Sequence, residues 1–438
     1  MNKNKPLCIA EWQVFGIDDI KAVMAENNSE KAQKIFDELK NFADEKSNHI
    51  FLNSYGKNRL KARNYVGLIQ TKSGFCLEIL PKTFRLANEN EGFKKHQDKI
   101  NEAKDLLLKM LQTLKNLPFK QSHIANLKTQ NAPLLEIFVM MFLNEVEMLI
   151  KKGLKSNYLE SEQNRKFLKG RLLFSQNLKH NFAHKERFFT ASDEFTPNIA
   201  PNKLIKSTLL LLSTNHFSVK TNARIAQSRF IFNEIIPSQN YDKDFAKCEN
   251  LRHFKDYELL LLWCKIFLKK QTFTAYQGNE KAFALLFDMN ELFESFVAWH
   301  LQKYIAQKTE KIKIKTQDAS KYLMEYKVEK NKLKDSFQLI PDIVCQKNDK
   351  NDKIIFIADT KWKILNNEKD IQQNDLYQIL AYLTKYECQK AYLIYPTTKN
   401  EHHLIKIKKL FYKAYKKEGN FQFQLKIHFF NLNKFLDK

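Results

Sequence analysis

Two acids and an amine gather in one short stretch. Asp342 follows Pro341 and precedes Ile343-Val344, while Asp359 and Lys361 end the apolar run Ile354-Ile355-Phe356-Ile357-Ala358. Side chains alternate along a strand, so Asp359 and Lys361 share one face and Thr360 points to the other. The polar stretch QKNDKNDK, residues 346–353, joins the two apolar runs, which lets them pair as neighbours with Asp342 across from Asp359. Two carboxylates about 4 to 6 Å apart repel and raise one pKa. A hard divalent cation, Mg²⁺ or Mn²⁺, removes that penalty by taking carboxylate, water and phosphate oxygens as ligands. Lys361 then stabilises developing negative charge, or orients and deprotonates the attacking water. Phosphodiester hydrolysis needs this combination of phosphate clamp, activated water and charge neutralisation. The plainer reading is a surface hairpin whose tip is charged.

The elements that must position these groups can be read from periodicity. The continuous apolar run before Asp359 implies burial on both faces, hence a central strand. Pro341 lacks a donor, which suits a strand start or a bulge. From residue 281 a helix, MNELFESFVAWHLQKYIAQK, precedes the extended runs KIKIKT, KYLMEYKV, FQLIPDIV and KIIFIADTKW. A helix DLYQILAYLTKY, a strand KAYLIYP, a basic helix near IKKLFYKAYKK and a strand FQLKIHFF complete an α/β core with a mixed sheet. Residues 1–100 read as β-rich, with strand, turn and strand in NYVGLIQTKSGFCLEILPK and a polar linker over 86–104. Residues 101–280 read as mainly helical, interrupted by the extended RFFTASDEFTPNIAPNK, whose Pro197 and Pro201 forbid a continuous helix. The expected fold is therefore α+β and multidomain: 1–100, 101–280 and 281–438.

Bulk numbers restrict the partner. Among 438 residues, 73 Lys and Arg face 49 Asp and Glu, a formal charge of +24. That excess favours a polyanion, foremost nucleic acid, over an anionic membrane surface. Apolar residues at 43% are enough for real cores. The six cysteines are scattered without a CxxC pair, which fits a reducing cytoplasm. No secretory signal is visible, and the most apolar segment carries Glu136, Glu145 and Glu147, so no membrane span is expected. No GxxxxGK[ST] loop is present, YGKN at 55–58 being the nearest approach, so nucleotide hydrolysis would belong to another chain. His180 and His184 in HNFAH lack the glutamate of HExxH, and with His402-His403 they read as solvated or structural. The interleaved FYKAYKK suits DNA backbone contact or a solvated amphipathic helix equally.

Pro341-Asp342 followed by Asp359-x-Lys361 at the end of an apolar strand resembles the PD-(D/E)XK nuclease motif. The ordered segments LFESFVAWHL, LIPDIV, IADTKWK, DLYQILAYLTKY and YLIYP, with YVGLIQTKSGFCLEILPK, NRKFLKGRL and RFFTASDEFTPNIAPNKLIK upstream, resemble the McrC family over most of the chain. That family supplies the nuclease subunit of McrBC restriction systems. The resemblance implies Asp342 and Asp359 as metal ligands and Lys361 as the catalytic lysine. In related nucleases a helix-borne glutamate completes the metal site; Glu294 is the better candidate, with Glu291 behind it. Gln378 and Tyr382, one helical turn apart, could face the site or simply pack beside Leu376, Ile379 and Leu380. The resemblance further implies double-stranded DNA carrying modified cytosine as substrate. Its implied partner is a hexameric AAA+ GTPase of the McrB type that uses GTP this chain does not bind. Docking on that ring is expected of the β-rich start, around YGKNRLKARNY. Two other readings stay open: a non-catalytic adaptor that activates the ring, and an autonomous DNA nuclease.

Overall fold

The computed structural model describes residues 5–24, 28–83, 93–114, 132–249, 255–269, 282–328, 332–349, 352–398, 410–412 and 423–435. The chain divides into two compact units, one of residues 1–121, 128–134 and 272–438, the other of 122–127 and 135–271.

In the first unit the two apolar runs around the acids become neighbouring strands. Ile343–Lys347 pairs antiparallel with Ile354–Thr360, and Ile343 stands opposite Ala358. Ile354–Thr360 in turn pairs parallel with Lys390–Thr397, which pairs parallel with Phe423–Asn431. Ile312–Thr316 and Leu410–Tyr412 close the two edges antiparallel, giving a six-stranded mixed sheet with the Asp359 strand inside it. Two helices cover the sheet. Ile379 and Leu383 of Gln373–Lys385 join Val344, Ile357 and Leu393 in one core. Phe293 and Phe296 of Met289–Lys308 pack on Phe430, ring centroids 6.1 and 5.9 Å away. Phe429 sides with the first core, so the alternation of strand side chains puts the helices on opposite faces. Each fully buried aliphatic or aromatic side chain here contributes roughly 1.5–3 kcal/mol.

The FQLIPDIV run is split at Pro341: Lys332–Leu339 pairs with Lys321–Val328 in a separate two-stranded ribbon, and Ile343 starts the sheet strand. A basic helix near IKKLFYKAYKK is not what the described residues form. Leu410–Tyr412 is a strand that takes its ladder from Phe423–Asn431, and the rest of that stretch, with His402-His403, lies outside the described residues.

The N-terminal part of the same unit holds a four-stranded sheet in the order Leu7–Ala10, Cys76–Leu80, Tyr65–Thr71, Ala282–Asp288. The last of these strands pairs antiparallel with Tyr65–Thr71 and runs straight into helix Met289–Lys308, whose N-cap is Asp288. Gly67 is required there, since a Cβ would stand 2.0 Å from the Leu285 carbonyl oxygen. A three-stranded sheet (Val14–Gly16, Arg59–Ala62, Leu52–Ser54) packs with it. The β-rich reading missed helix Ser29–Ala43, which Asn28 caps and which buries Ala32, Ile35, Phe36, Leu39 and Phe42 at three- and four-residue steps. The polar stretch expected to be a linker is partly helix too: Phe93–Leu111 begins inside it, and 84–92 lie outside the described residues.

The second unit is helical around one sheet. Helices Leu134–Lys152, Ala200–Leu212 and Glu258–Lys269 carry apolar residues at three- and four-residue steps, and Val219–Ile231 and Tyr241–Glu249 are further helices that the sequence reading did not single out. Pro201 sits in the first turn of its helix, where a missing N–H costs nothing. Phe188–Thr196 is the centre of a three-stranded sheet with Asn157–Arg165 and Arg171–Leu172. Among the described residues no helix is long and apolar enough to cross a membrane.

Candidate active site

One step beyond the Ile343–Ala358 pair, Asp342 comes opposite Asp359. Asp359 is 1% exposed, and neither of its carboxylate oxygens accepts a well-formed hydrogen bond among the described residues. It is met instead by the ammonium of Lys361, whose Nζ lies 2.6 Å from Oδ2. Asp342 is steadied by Thr360, whose backbone N–H and Oγ1–H both donate to Oδ2 at 2.7 Å. Thr360 thereby ties the end of one strand to the acid that precedes the next.

Helix Gln373–Lys385 supplies the next arm. Lys361 Nζ donates to Gln378 Oε1 at 2.9 Å, Gln378 Nε2 donates to the Tyr382 hydroxyl at 2.8 Å, and Tyr382 donates to the Ile340 carbonyl at 3.1 Å. The relay returns to the residue just before Pro341-Asp342, so both strand ends and the helix form one network. Beside it, Lys363 Nζ donates to buried Asp375 at 2.9 Å.

Glu294, on helix Met289–Lys308, faces Asp342. Its Oε2 accepts from Gln317 Nε2 at 3.4 Å, and the Gln317 backbone N–H donates to the Asp342 carbonyl at 3.1 Å. Glu291, one turn earlier, is exposed. Among the described residues no three His, Cys, Asp or Glu side chains close into a ready ion-binding group, so Glu294 stands near the two aspartates without completing a ring with them.

The electrostatics match the geometry. Burial, then the charge of Asp342, pushes the Asp359 carboxyl up to about 7. Burial, then Asp342, pushes Glu294 up to about 8. Asp342 is itself raised by burial, against the pull of the Thr360 hydrogen bonds. For Lys361 burial pulls the pKa down, but Asp359 and then Asp342 outweigh it, so the amine is held above its usual value as an ammonium. The site thus holds mutually repelling acids in low dielectric with one amine against them.

All five sequence candidates, Asp342, Asp359, Lys361, Gln378 and Glu294, are brought to one place, with Tyr382 behind Gln378. Thr360, Gln317 and Trp362 were not picked out in the sequence; Thr360 was legible as the middle of D-x-K, the others only in three dimensions. The histidines of HNFAH lie elsewhere, His180 stacked 5.1 Å from Phe189 and His184 3.2 Å from Glu186. The residues fit a hard divalent cation: among the described residues buried Oδ1 of Asp359 has no partner, Oδ2 meets only the Lys361 ammonium, and a second acid repels them.

Among solved structures, the chain is similar to one in the refined half-complex from the tetradecameric assembly of Thermococcus gammatolerans McrB AAA+ hexamers with bound McrC. The two are 17% identical with a TM-score of 0.60 over 99% of this chain and 97% of that chain, a likeness of fold. A chain of the Thermococcus gammatolerans McrBC complex seen by cryo-electron microscopy is 20% identical, with a TM-score of 0.46 over 68% of this chain and 87% of that one. No curated protein matches. The family model of the McrBC 5-methylcytosine restriction system component matches residues 60–396, more than half of the chain, and includes every residue of the site. The chain belongs to the McrBC 5-methylcytosine restriction system component family.

Proposed function

We propose that this chain is the McrC-like endonuclease subunit of a GTP-driven restriction complex. It hydrolyses phosphodiester bonds in double-stranded DNA carrying modified cytosine, and it stimulates a hexameric AAA+ GTPase that binds the GTP. The observation that carries this reading is the repelling pair of half-buried Asp342 and buried Asp359, at the adjoining ends of two paired strands, with the Lys361 ammonium 2.6 Å from Asp359. Asp342 and Asp359, helped by Glu294, are the residues that would hold Mg²⁺ or Mn²⁺. Bound there, the cation supplies charge neutralisation at the phosphate and a more acidic water.

The chain's own groups do the rest. Thr360 fixes the carboxylate of Asp342 with two hydrogen bonds. Lys361, charged, stabilises the negative charge that builds on the phosphoryl oxygens as water adds, a role for which an ammonium suits better than a free amine. Gln378 holds the Lys361 ammonium in line, and Tyr382 holds Gln378. The formal charge of +24 draws in the polyanionic substrate.

Residues 281–438 are assigned to cutting and 1–100 to docking on the ring, with both acting in the cytoplasm. A second surface competes for the docking role. In the second unit Phe167, Phe174, Phe182 and Phe195 are all more than half exposed, an unusual density of open aromatic rings.

Reconstitution with the ring partner tests the reading. EDTA stops DNA cutting, Mg²⁺ restores it, and Asp342→Ala stimulates GTP hydrolysis without cutting. GTPase stimulation by the wild-type chain with no cutting under any metal would select the adaptor instead. Phe182→Asp separates the two docking surfaces, since loss of stimulation in that variant assigns the ring to the second unit.

A further inference from the structure

Lys361 lies one residue past the end of strand Ile354–Thr360, and its backbone N–H still donates to the Ile394 carbonyl of the neighbouring strand at 2.9 Å. That is the last bond of the ladder there, and the next residue is held from elsewhere. Trp362 is buried, and its indole Nε1–H donates to Glu11 Oε1 at 2.5 Å. Lys82 Nζ donates to the Trp362 carbonyl at 3.0 Å and stands 5.6 Å from the centre of its ring. Phe293 packs against the same ring at 5.2 Å, and Phe293 immediately precedes Glu294. Trp362 is therefore one residue from Lys361 and in contact with the residue beside Glu294.

The groups that grip it come from the other end of the chain. Glu11 comes just after strand Leu7–Ala10 and Lys82 just beyond strand Cys76–Leu80, and these two strands pair in parallel. The two residues hold each other: the Lys82 backbone N–H donates to Glu11 Oε1 at 3.1 Å, and Lys82 Nζ lies 3.6 Å from Oε2. Glu11 is 2% exposed; Oε1 carries both hydrogen bonds, and Oε2 is met only by the charge of Lys82. The aim of Glu11 depends on the next residue. Trp12 has φ of +67°, a left-handed conformation costly for a bulky side chain, and Gln13 closes the bend with hydrogen bonds to both backbone groups of Ala10.

We propose that Glu11 and Lys82 are positioning residues for the nuclease site: by fixing Trp362 they keep the Lys361 ammonium on Asp359. The inference rests on the nuclease reading for its consequence, though not for its geometry. A buried Trp–Glu pair serving stability alone would leave the surroundings of the Lys361 amine unchanged.

The test uses the full chain as Glu11→Leu, Glu11→Gln and Lys82→Met. Reductive methylation of Lys361, read by mass spectrometry with exposed lysines as internal reference, reports on the amine without any need for cutting. Single-turnover cleavage in the ring complex reports on the consequence. Glu11→Leu raises Lys361 labelling several-fold and lowers the cleavage rate about tenfold to 100-fold with DNA affinity unchanged. Glu11→Gln, which keeps an acceptor for the indole N–H, restores most of both. Wild-type labelling and rate in folded Glu11→Leu would overturn the proposal. If Glu11→Leu does not fold, Lys82→Met decides by the same two readouts. A wild-type chain that cuts no DNA would end the nuclease reading, and Lys361 labelling would still judge the positioning.

Discussion

Glu78 and Asp359 are buried to the same depth, 0% and 1% exposed, and each has a lysine against it. Around Glu78 everything is satisfied. Oε2 lies 2.8 Å from Lys104 Nζ and accepts from the Cys8 thiol, Oε1 accepts from the Leu134 backbone N–H at 2.6 Å, and Lys104 also donates to the Ala132 carbonyl. Burial pulls Lys104 down, Glu78 outweighs it, and the amine ends above its usual value. Around Asp359 the oxygens take no well-formed hydrogen bond, a second acid stands opposite, and the carboxyl is pushed up to about 7. The first arrangement is what a buried ion pair needs to hold a fold together. The second is poorly built for stability and well built to receive a cation. The difference between a structural and a functional carboxylate is thus how many of its lone pairs the fold leaves uncommitted.

The contrast predicts opposite outcomes for parallel substitutions. Glu78→Ala leaves Lys104 buried without its partner and costs about 3–5 kcal/mol, read as a large drop in unfolding midpoint in urea. A variant unfolding with the wild type would erase the distinction. Lys361→Met removes the charge beside Asp359 and lowers cleavage by about 10²- to 10³-fold with little change in that midpoint. Equal losses of stability from the two substitutions would mean that both pairs are structural.

Divalent cation sharpens the comparison through pH. Asp359 and Glu294, pushed up to about 7 and 8, bind protons in the folded chain that the unfolded chain has released. Without cation their contribution to stability therefore falls as pH rises through the window from about 4 to 8. A cation relieves that repulsion and competes with protons, so added Mg²⁺ or Mn²⁺ raises the melting temperature more at pH 8 than at pH 5.5. At 100 times its dissociation constant the stabilisation is about 2.7 kcal/mol. A shift that is the same at both pH values, or that survives in Asp359→Asn, would place the cation elsewhere. The smallest effect belongs to Gln378→Ala, which frees the Lys361 ammonium on one side only and lowers the cleavage rate about tenfold. An unchanged rate would reduce Gln378 to packing.

What could be read in the sequence was what is local. The hairpin around 346–353 joins Asp342 to Asp359 across few residues, so strand alternation and a short loop suffice to oppose them. Helix Met289–Lys308 and helix Gln373–Lys385 announce themselves by apolar steps. Other elements have no such signal. Asn157–Arg165 is exposed along most of its length and lacks the apolar alternation of a half-buried strand. Leu410–Tyr412 sits among lysines in a helical-looking pattern and becomes a strand only because Phe423–Asn431 offers it a ladder. The grip of Glu11 on Trp362 spans 351 positions, which no spacing rule reaches. Glu294 was legible as a helix-borne acid, yet its pairing with Asp342 depends on where the helix lies on the sheet.

Asp359→Asn in the reconstituted ring complex tests the central claim most directly, because it keeps the shape of the side chain and removes only its charge. Cutting of modified DNA falls by about 10³-fold or more in that variant while GTP hydrolysis by the ring is stimulated as before. Cutting at the wild-type rate by that variant would contradict the claim.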